Sequence, residues 1–350
     1  MLVDIEKGHL LVTGGAGFMG SAFIRFVLQK TNFSGLLINL DLLTYAENIE
    51  NLSSVQNDPR YRFVKGNINE KELLEQIHKE FHLDGIIHFA AETHVDRSIK
   101  NPEIFIHTNI LGTYQLLEFV RAHPSIHFHH ISTDEVYGSL KEEGVFTEKS
   151  PYAPNSPYSA SKAASDHLVR SFGETYDLST TLSHASNNYG PYQFPEKFIP
   201  LMILSCMEEK SLPIYGTGKN IRNWLYVEDH AEAIWNILER GKKKEVYNIG
   251  GTSELSNLDL LHSIISFYAK ITGKNQEELA SRITYLPDRP GHDFRYAIDG
   301  SKISHEIGWK AKHSLLEGLS KTIEWYLIHP YKKTGDYVKW IELQYAGEAT

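Results

Sequence analysis

The segment HLLVTGGAGFMGSAFIRFVLQK, residues 9–30, constrains the fold of this chain more than any other. An apolar run closes on glycine, as a buried strand does, and helical spacing follows over residues 19–30. Between them Gly14, Gly17 and Gly20 stand at G-x-x-G-x-x-G spacing. The early glycines permit a tight turn and close approach of backbone to a diphosphate. The last lets the helix pack close, and the helix N-terminus offers N–H donors and a positive dipole. Asp41 ends the next apolar run, LLINLD (36–41), where an acid can bind a ribose diol. An acid there repels a 2′-phosphate, so the expected cofactor is NAD rather than NADP.

Further apolar runs at 61–66, 84–91, 126–132 and 179–186 alternate with helical patterns at 70–81, 102–122 and 157–176. The last two helices are expected to begin alike, with Asn101 or Ser156 as N-cap and Pro102 or Pro157 first. Alternation of this kind predicts an α/β fold, a Rossmann-type doubly wound parallel sheet with helices on both faces. After about residue 190 proline, glycine and tyrosine become frequent and the elements shorten, predicting a smaller C-terminal substrate-binding part. The expected division is 1–186 for the nucleotide-binding domain and 187–330 for the substrate part, with 228–252 returning to the sheet and 331–350 as a tail.

The net charge of −9 leaves no basic stripe for phosphates, so no nucleic-acid partner is expected. No apolar segment approaches membrane-spanning length and no secretory leader is evident. One cysteine, Cys206, excludes an internal disulfide framework and fits a reducing, cytoplasmic setting. Of the 18 histidines, His127 and His129 share one strand face and His130 takes the other. They are expected to pack or face solvent, and no metal site is expected.

Two chemical patterns follow the glycine fingerprint. STDEVYG (132–138) sets Asp134 and Glu135 side by side where the chain leaves a strand. Alone the pair reads as a solvated turn or a helix-start charge pair. YSASK places Tyr158 and Lys162 four apart on one helix face, where an ammonium would lower the phenol's pKa. Y-x-x-x-K is common on amphipathic helices; its position after a dinucleotide fingerprint and after Ser132-Thr133, whose hydroxyls could hold a reacting oxygen, gives it weight.

The segments LVTGGAGFMGS, HFAAETHVDRSI, STDEVYG, PNSPYSASKAASDHLV, SNNYGPYQFPEKFIPLMI, RNWLYVEDHAEAI, VYNIGG and RPGHDFRYAID occur in order to about residue 327. In them the chain resembles the extended short-chain dehydrogenases/reductases, and within these the dTDP-glucose 4,6-dehydratase family. The resemblance implies oxidation of a sugar at C4, with Tyr158 as base and Lys162 holding the ribose and the tyrosine. It further implies Glu135 as the base at C5, protonated Asp134 as the acid at the C6 hydroxyl, return of the hydride to C6, and Thr133 on the C4 oxygen. Phe18, Met19, Asn67, Ile68 and Ala90 would join the glycines and Asp41 around NAD. Glu92, Asn187, Glu196, Lys197, Phe198 and Ile199 would border the sugar, with His94, Asp96 and Arg97 as hydrogen-bonding support. Pro213 and Tyr215 would flank the base, while Arg222, Asn257, Arg289 and His292 would meet diphosphate and nucleoside. The implied partners are a nucleotide sugar, dTDP-glucose foremost, and a second copy paired through helices 102–122 and 157–176. Asn67 stands where the family usually has Asp, and His184 where it usually has Arg. Thr217 and Asn223 replace common acids near the nucleotide loop. These departures bear on the nucleobase, not the reaction. The rival readings are a UDP-sugar 4,6-dehydratase, 4-epimerase or decarboxylase on the same scaffold, and a non-catalytic nucleotide-sugar binding protein. Asp134-Glu135 argues against epimerisation, which needs neither a C5 base nor a C6 acid.

Overall fold

In the computed structural model, which describes residues 2–44 and 48–329, six strands come first. They are β1 (Leu10–Thr13), β2 (Leu37–Asp41), β3 (Tyr61–Lys65), β4 (Gly85–His88), β5 (His127–Thr133) and β6 (Thr180–Ala185). The short strands β7 (Asn187–Tyr189), β8 (Leu212–Tyr215) and β9 (Ile221–Tyr226) precede β10 (Val246–Ile249), β11 (Ser253–Ser256) and β12 (Ile283–Leu286). Strand β10 rejoins the first six in one sheet of order β10-β6-β5-β4-β1-β2-β3. Every pairing in it is parallel. Every residue of β1, β2, β4, β5 and β6 is buried, as a sheet covered on both faces requires. The polar strand β5 meets this demand by pairing its histidines. His127 bonds Ser179 and Thr181, and His129 bonds Thr181 and Ser183, at 2.8–3.2 Å.

Helices α1 (Phe18–Lys30), α2 (Lys71–Phe81), α3 (Val95–Lys100), α4 (Glu103–Phe105), α5 (Gly112–Ala122) and α6 (Pro157–Tyr176) separate the first strands. Later come α7 (Phe198–Met207), α8 (Val227–Arg240), α9 (Asn257–Thr272), α10 (Gln276–Ala280), α11 (Ser301–Ile307) and α12 (Leu315–Ile328). One core joins α1, α8 and α11 to one face of the sheet, through Phe23, Val27, Ile234 and Ile303. A second joins α2, α5 and α6 to the other, through Leu74, Leu117 and Phe172. A third packs α7, α9 and α12 beneath β8 and β9, which lie in two small sheets of order β11-β9-β7 and β12-β8. The tail expected over 331–350 lies outside the described residues. Among the described residues no helix is long and apolar enough to cross a membrane.

The helix expected as one rod over 102–122 is α4, a stretch of wider π-type winding at Ile106–Leu111, and α5. Asn101 closes α3 instead of capping the next helix, and Pro102 itself takes the N-cap position. The buried Asn109 explains the widened turn. Its side chain donates to Glu92 O and Ser161 Oγ and accepts from the Glu92 N–H, at 2.8–3.0 Å. Its carbonyl takes the hydroxyls of Thr113 and Ser165, at 2.6 and 2.7 Å. The π-type stretch is thereby locked to α6, the helix that bears Tyr158 and Lys162. Helix α6 starts as its sequence predicts, with a Ser156–Ser159 capping box and Pro157 first.

Candidate active site

A cavity of about 290 Å³ opens where strand order reverses beside β1, at the carboxyl ends of β1, β4 and β5. Gly14 adopts φ +70°, and a Cβ there would lie 2.6 Å from Ala90 N. A Cβ on Gly20 would lie 2.3 Å from Gly14 O, so only glycine lets α1 begin against the turn. The N-terminus of α1, at Gly17, has no capping side chain. Gly14, Gly17, Phe18, Met19, Gly20 and Ala90 all line the cavity. Among the described residues, a Cβ on Gly17 would meet only Gly14 O, at 3.3 Å. An uncapped helix N-terminus behind an open glycine turn fits the diphosphate of a dinucleotide. Three expected cofactor residues stand off the wall. Asp41 accepts the Ala16 and Leu43 N–H groups, both at 2.8 Å, and so ties the glycine loop to β2. Asn67 accepts the Asn69 N–H at 3.0 Å, and Ile68 is buried beside Gly112.

The opposite wall carries Thr133, Asp134, Glu135, Tyr158 and Lys162. Strand β5 delivers Thr133 as its last residue, and the chain then winds into one 3-10 turn, Asp134–Tyr137. Thr133 Oγ1 caps that turn by accepting the Glu135 N–H at 3.3 Å, and lies 3.4 Å from Asp134 Oδ1. It also works against the rise of the Tyr158 phenol, which lines the same wall. Asp134 is buried, and its Oδ2 has no hydrogen-bond partner among the described residues. Burial, then the Glu135 charge, pushes its carboxyl up to about 8. Burial also raises Glu135, but Arg289, Arg222 and Lys197 oppose the shift. The environments of the two neighbours differ, which is the condition for one acid and one base near neutrality.

Two expectations need correction. Burial, followed by the Glu135 charge, raises the Tyr158 phenol, so it is not lowered as expected. The ammonium is spent elsewhere: Lys162 Nζ donates to Ile131 O at 2.8 Å and stands 3.3 Å from His130 Nε2. Ser132 lines the cavity, but its hydroxyl proton is committed to Asp166 Oδ2 at 2.9 Å and is not offered to a reacting oxygen. Alternation along β5 turns it away from its neighbour Thr133.

Asn187, Glu196, Lys197, Phe198 and Ile199 complete the cavity. Lys197 Nζ donates to Thr93 O at 3.0 Å and lies 3.7 Å from Glu196. Glu92 is not on the wall; it pairs with Arg97 at 3.4 Å. Pro213, Tyr215, Arg222, Asn257, Arg289 and His292 also lie off the wall, on β8, β9, the start of α9 and the loop between β12 and α11. Arg222 is buried over the Tyr296 ring and donates to the carbonyls of Ile221, Asp293 and Phe294. Arg289 reaches Asp96 at 3.5 Å, and His292 bonds Asp288 at 2.6 Å. Asn223, expected near the nucleotide, brackets Gly251 through both its N–H and its carbonyl. Thr217 is exposed.

Sequence reasoning missed Gln193, Phe194 and Trp224 on the cavity wall, and His130 and Asp166 behind Lys162. The i, i+4 spacing of Lys162 and Asp166 was the available signal for the last. His78 and His82 stand four apart at the end of α2 with the His123 ring 4.4 Å from His78. No group of three or more metal-ligating side chains is assembled among the described residues.

The family model described as GDP-mannose 4,6 dehydratase matches residues 11–322. A dTDP-glucose 4,6-dehydratase of Shigella flexneri is 49% identical, with 97% of this chain and 99% of the relative covered. Among solved structures, the dTDP-glucose 4,6-dehydratase of Bacillus anthracis in complex with NAD is 45% identical, with a TM-score of 0.84 over 92% of this chain and 97% of that one. The Streptomyces venezuelae dTDP-glucose 4,6-dehydratase with NAD and TYD bound is 43% identical, with a TM-score of 0.85 over 91% and 97%. A glycine turn facing a Thr-Asp-Glu turn and a Tyr-Lys helix, with identity this high over nearly whole chains, leaves one assignment: the chain belongs to the dTDP-glucose 4,6-dehydratase family of extended short-chain dehydrogenases/reductases.

Proposed function

We propose that this protein catalyses the NAD-dependent dehydration of a nucleoside-diphosphate glucose, dTDP-glucose foremost, to the 4-keto-6-deoxy sugar. The observation that carries this reading is the pair Asp134 and Glu135 on one cavity wall together with Thr133, Tyr158 and Lys162.

Gly14, Gly17, Phe18, Met19 and Gly20 would hold the diphosphate of NAD, Asp41 a ribose, and Asn67, Ile68 and Ala90 the adenine side and the floor. Tyr158 and Lys162 would hold the nicotinamide ribose. When bound, NAD supplies the acceptor for the hydride leaving C4 and its return to C6. As the phenolate, which the cation of bound NAD and the Lys162 ammonium would favour against burial, Tyr158 would take the proton of the C4 hydroxyl while Thr133 holds that oxygen. The resulting ketone acidifies C5, and Glu135 removes the C5 proton. Asp134, protonated at neutral pH because burial and Glu135 disfavour its anion, gives its proton to the departing C6 oxygen, and water leaves. Glu135 then returns its proton to C5.

The sugar would lie between this wall and Asn187, Glu196, Lys197, Phe198 and Ile199, with Glu92 behind. The nucleoside diphosphate would reach Pro213, Tyr215, Arg222, Asn257, Arg289 and His292. Arginine suits this end because its planar fork matches phosphate oxygens. The nucleotide-binding unit would comprise 1–186 with 228–252, and the substrate unit the rest of 187–330. The protein would act in the cytoplasm as a homodimer. Exposed Ile99, Ile106, Leu111, Tyr114 and Tyr176 on α3, the π-type stretch, α5 and α6 support that pairing, which light scattering on the purified protein tests.

Incubation with dTDP-glucose followed by alkali should develop the ultraviolet chromophore of a 4-keto sugar, and UDP-glucose in parallel should give less. Conversion of a UDP-sugar to its C4 epimer with no such chromophore would overturn the reading.

A further inference from the structure

Behind Lys162 lies a buried polar cluster to which the proposed chemistry assigns no work. Lys162 and Asp166 stand four apart on α6, the spacing at which a lysine and an aspartate pair directly. They do not pair. The His130 ring stands between them, with Nε2 3.3 Å from Lys162 Nζ and 3.4 Å from Asp166 Oδ1. The other carboxylate oxygen, Oδ2, accepts from Ser132 Oγ at 2.9 Å and faces His184 Nε2 at 3.0 Å. His184 is held in turn by the hydroxyls of Tyr137, at Nδ1, and Tyr152, at Nε2, at 2.8 and 2.9 Å. Tyr137 donates its single proton to Asn248 Oδ1 at 2.9 Å, so it accepts from His184 Nδ1. Lys162, His130, Asp166 and His184 are all buried.

We propose that Asp166 is a positioning residue whose charge acts on Lys162 across the His130 ring. Its charge keeps the buried lysine an ammonium ion. The interposed imidazole keeps the lysine from collapsing onto the carboxylate, so its donors stay on Ile131 O and toward the cavity. A buried charge without an opposite charge nearby neutralises, and Asp166 is the group that opposes this for Lys162. Burial lowers the lysine to about 8, with Asp166 pulling the other way. The remaining titratable groups around the pair cannot replace that anion. His88 on β4, His130 on β5 and His184 on β6 are neutral or cationic, and Tyr137, Tyr152 and Tyr158 are phenols raised by burial. Asp134 and Glu135, beyond Thr133, are not among the groups acting on Lys162. His184, which replaces a usual arginine, makes the second lock on Asp166.

This inference rests on the proposed function, and NAD binding provides a readout apart from turnover. The dissociation constant of NAD⁺ and the 4-keto-sugar rate are measured against pH for the wild type, Asp166→Asn and Asp166→Glu. Loss of the carboxylate should move the basic limb of both profiles down by about one unit or more. Asp166→Asn then stays close to wild type near about pH 6.5 and loses about tenfold more near about pH 8.5. Asp166→Glu, which keeps the charge, should restore the limb. A merely structural role lowers both quantities at every pH without moving the limb, and that result overturns the proposal. Asp166→Ser serves as a second uncharged variant should the asparagine fail to fold. NAD⁺ affinity in the wild type that is flat to about pH 10 overturns the proposal without any variant, since Lys162 then never titrates. A wild type that makes no 4-keto sugar refutes the proposed function instead and leaves the binding arm readable.

Discussion

The two ends of the site solve opposite electrostatic problems. At the Tyr158 end, Asp134, Lys162 and Asp166 are buried, and burial moves Asp134 and Lys162 toward neutral pH. At the Arg289 end, Arg289 and His292 lie on a loop beside acids, and Arg289 reaches Asp96 through a longer contact. A proton-transfer wall needs desolvation, because burial raises both carboxyls while the Glu135 charge pushes Asp134 further up and Arg289, Arg222 and Lys197 hold Glu135 back. A wall for a diphosphate needs standing positive charge that an incoming anion can claim. The ends are coupled, since Arg222 and Arg289 act against the upward shift of Glu135 and Arg222 against that of Asp134.

The sharpest break of this contrast comes from the buried wall. Tyr158→Phe should lower turnover by about 10³-fold and abolish reduction of bound NAD. Glu135→Gln should cost as much in product yet still accumulate reduced nicotinamide, because C4 oxidation precedes its step. Stopped-flow absorbance separates the two, and product formation at the wild-type rate in Glu135→Gln removes it from the role of C5 base.

Asp134→Asn should lower turnover by about 10²-fold with elimination slowed. In the wild type, activity should fall as pH rises through about 8, where Asp134 loses the proton it must donate. The same group governs stability with a definite sign. Its folded pKa, about 8, lies above the ordinary 3.8, so folding favours the protonated form. Wild-type stability therefore declines between about pH 4 and about pH 8, with a slope approaching about 1.4 kcal/mol per unit. Asp134→Asn should lack that slope, so its melting temperature should gain on the wild type as pH rises. Parallel melting curves across that window would place Asp134 in a more polar setting.

The smallest effect is expected at the other end. Arg289→Ala should raise KM for dTDP-glucose about tenfold and leave kcat within about twofold, as loss of a charge-assisted contact does. Because Arg289 holds the Glu135 pKa down, the acid limb of its rate profile should also move to higher pH. An unchanged KM with a reduced kcat would assign Arg289 to the proton-transfer wall instead.

What could be read from the chain was local. Gly14, Gly17 and Gly20, the capping of α6 by Ser156 and Pro157, and the adjacency of Asp134 and Glu135 depend on neighbours within a few turns. Alternating apolar runs sufficed for the parallel sheet, since strands buried on both faces are apolar or paired whatever their order. Helix α7 was hidden because it is apolar on all sides and buried, which erases helical periodicity. The widened turn in the helix at 102–122 was hidden because its cause, Asn109 bonding Glu92 and Ser161, spans elements far apart in sequence.

Sequence alone determined the residue types at the cavity: which glycines turn, which acids are paired, and which tyrosine and lysine share a helix face. Tertiary structure alone decided their electrical state. It turned Ser132 to Asp166, placed His130 between Lys162 and its natural partner, and set Asp41 to hold the glycine loop. The physical reason is that a pKa depends on burial and on charges brought near from other strands, and neither quantity exists until the sheet has closed around the side chain.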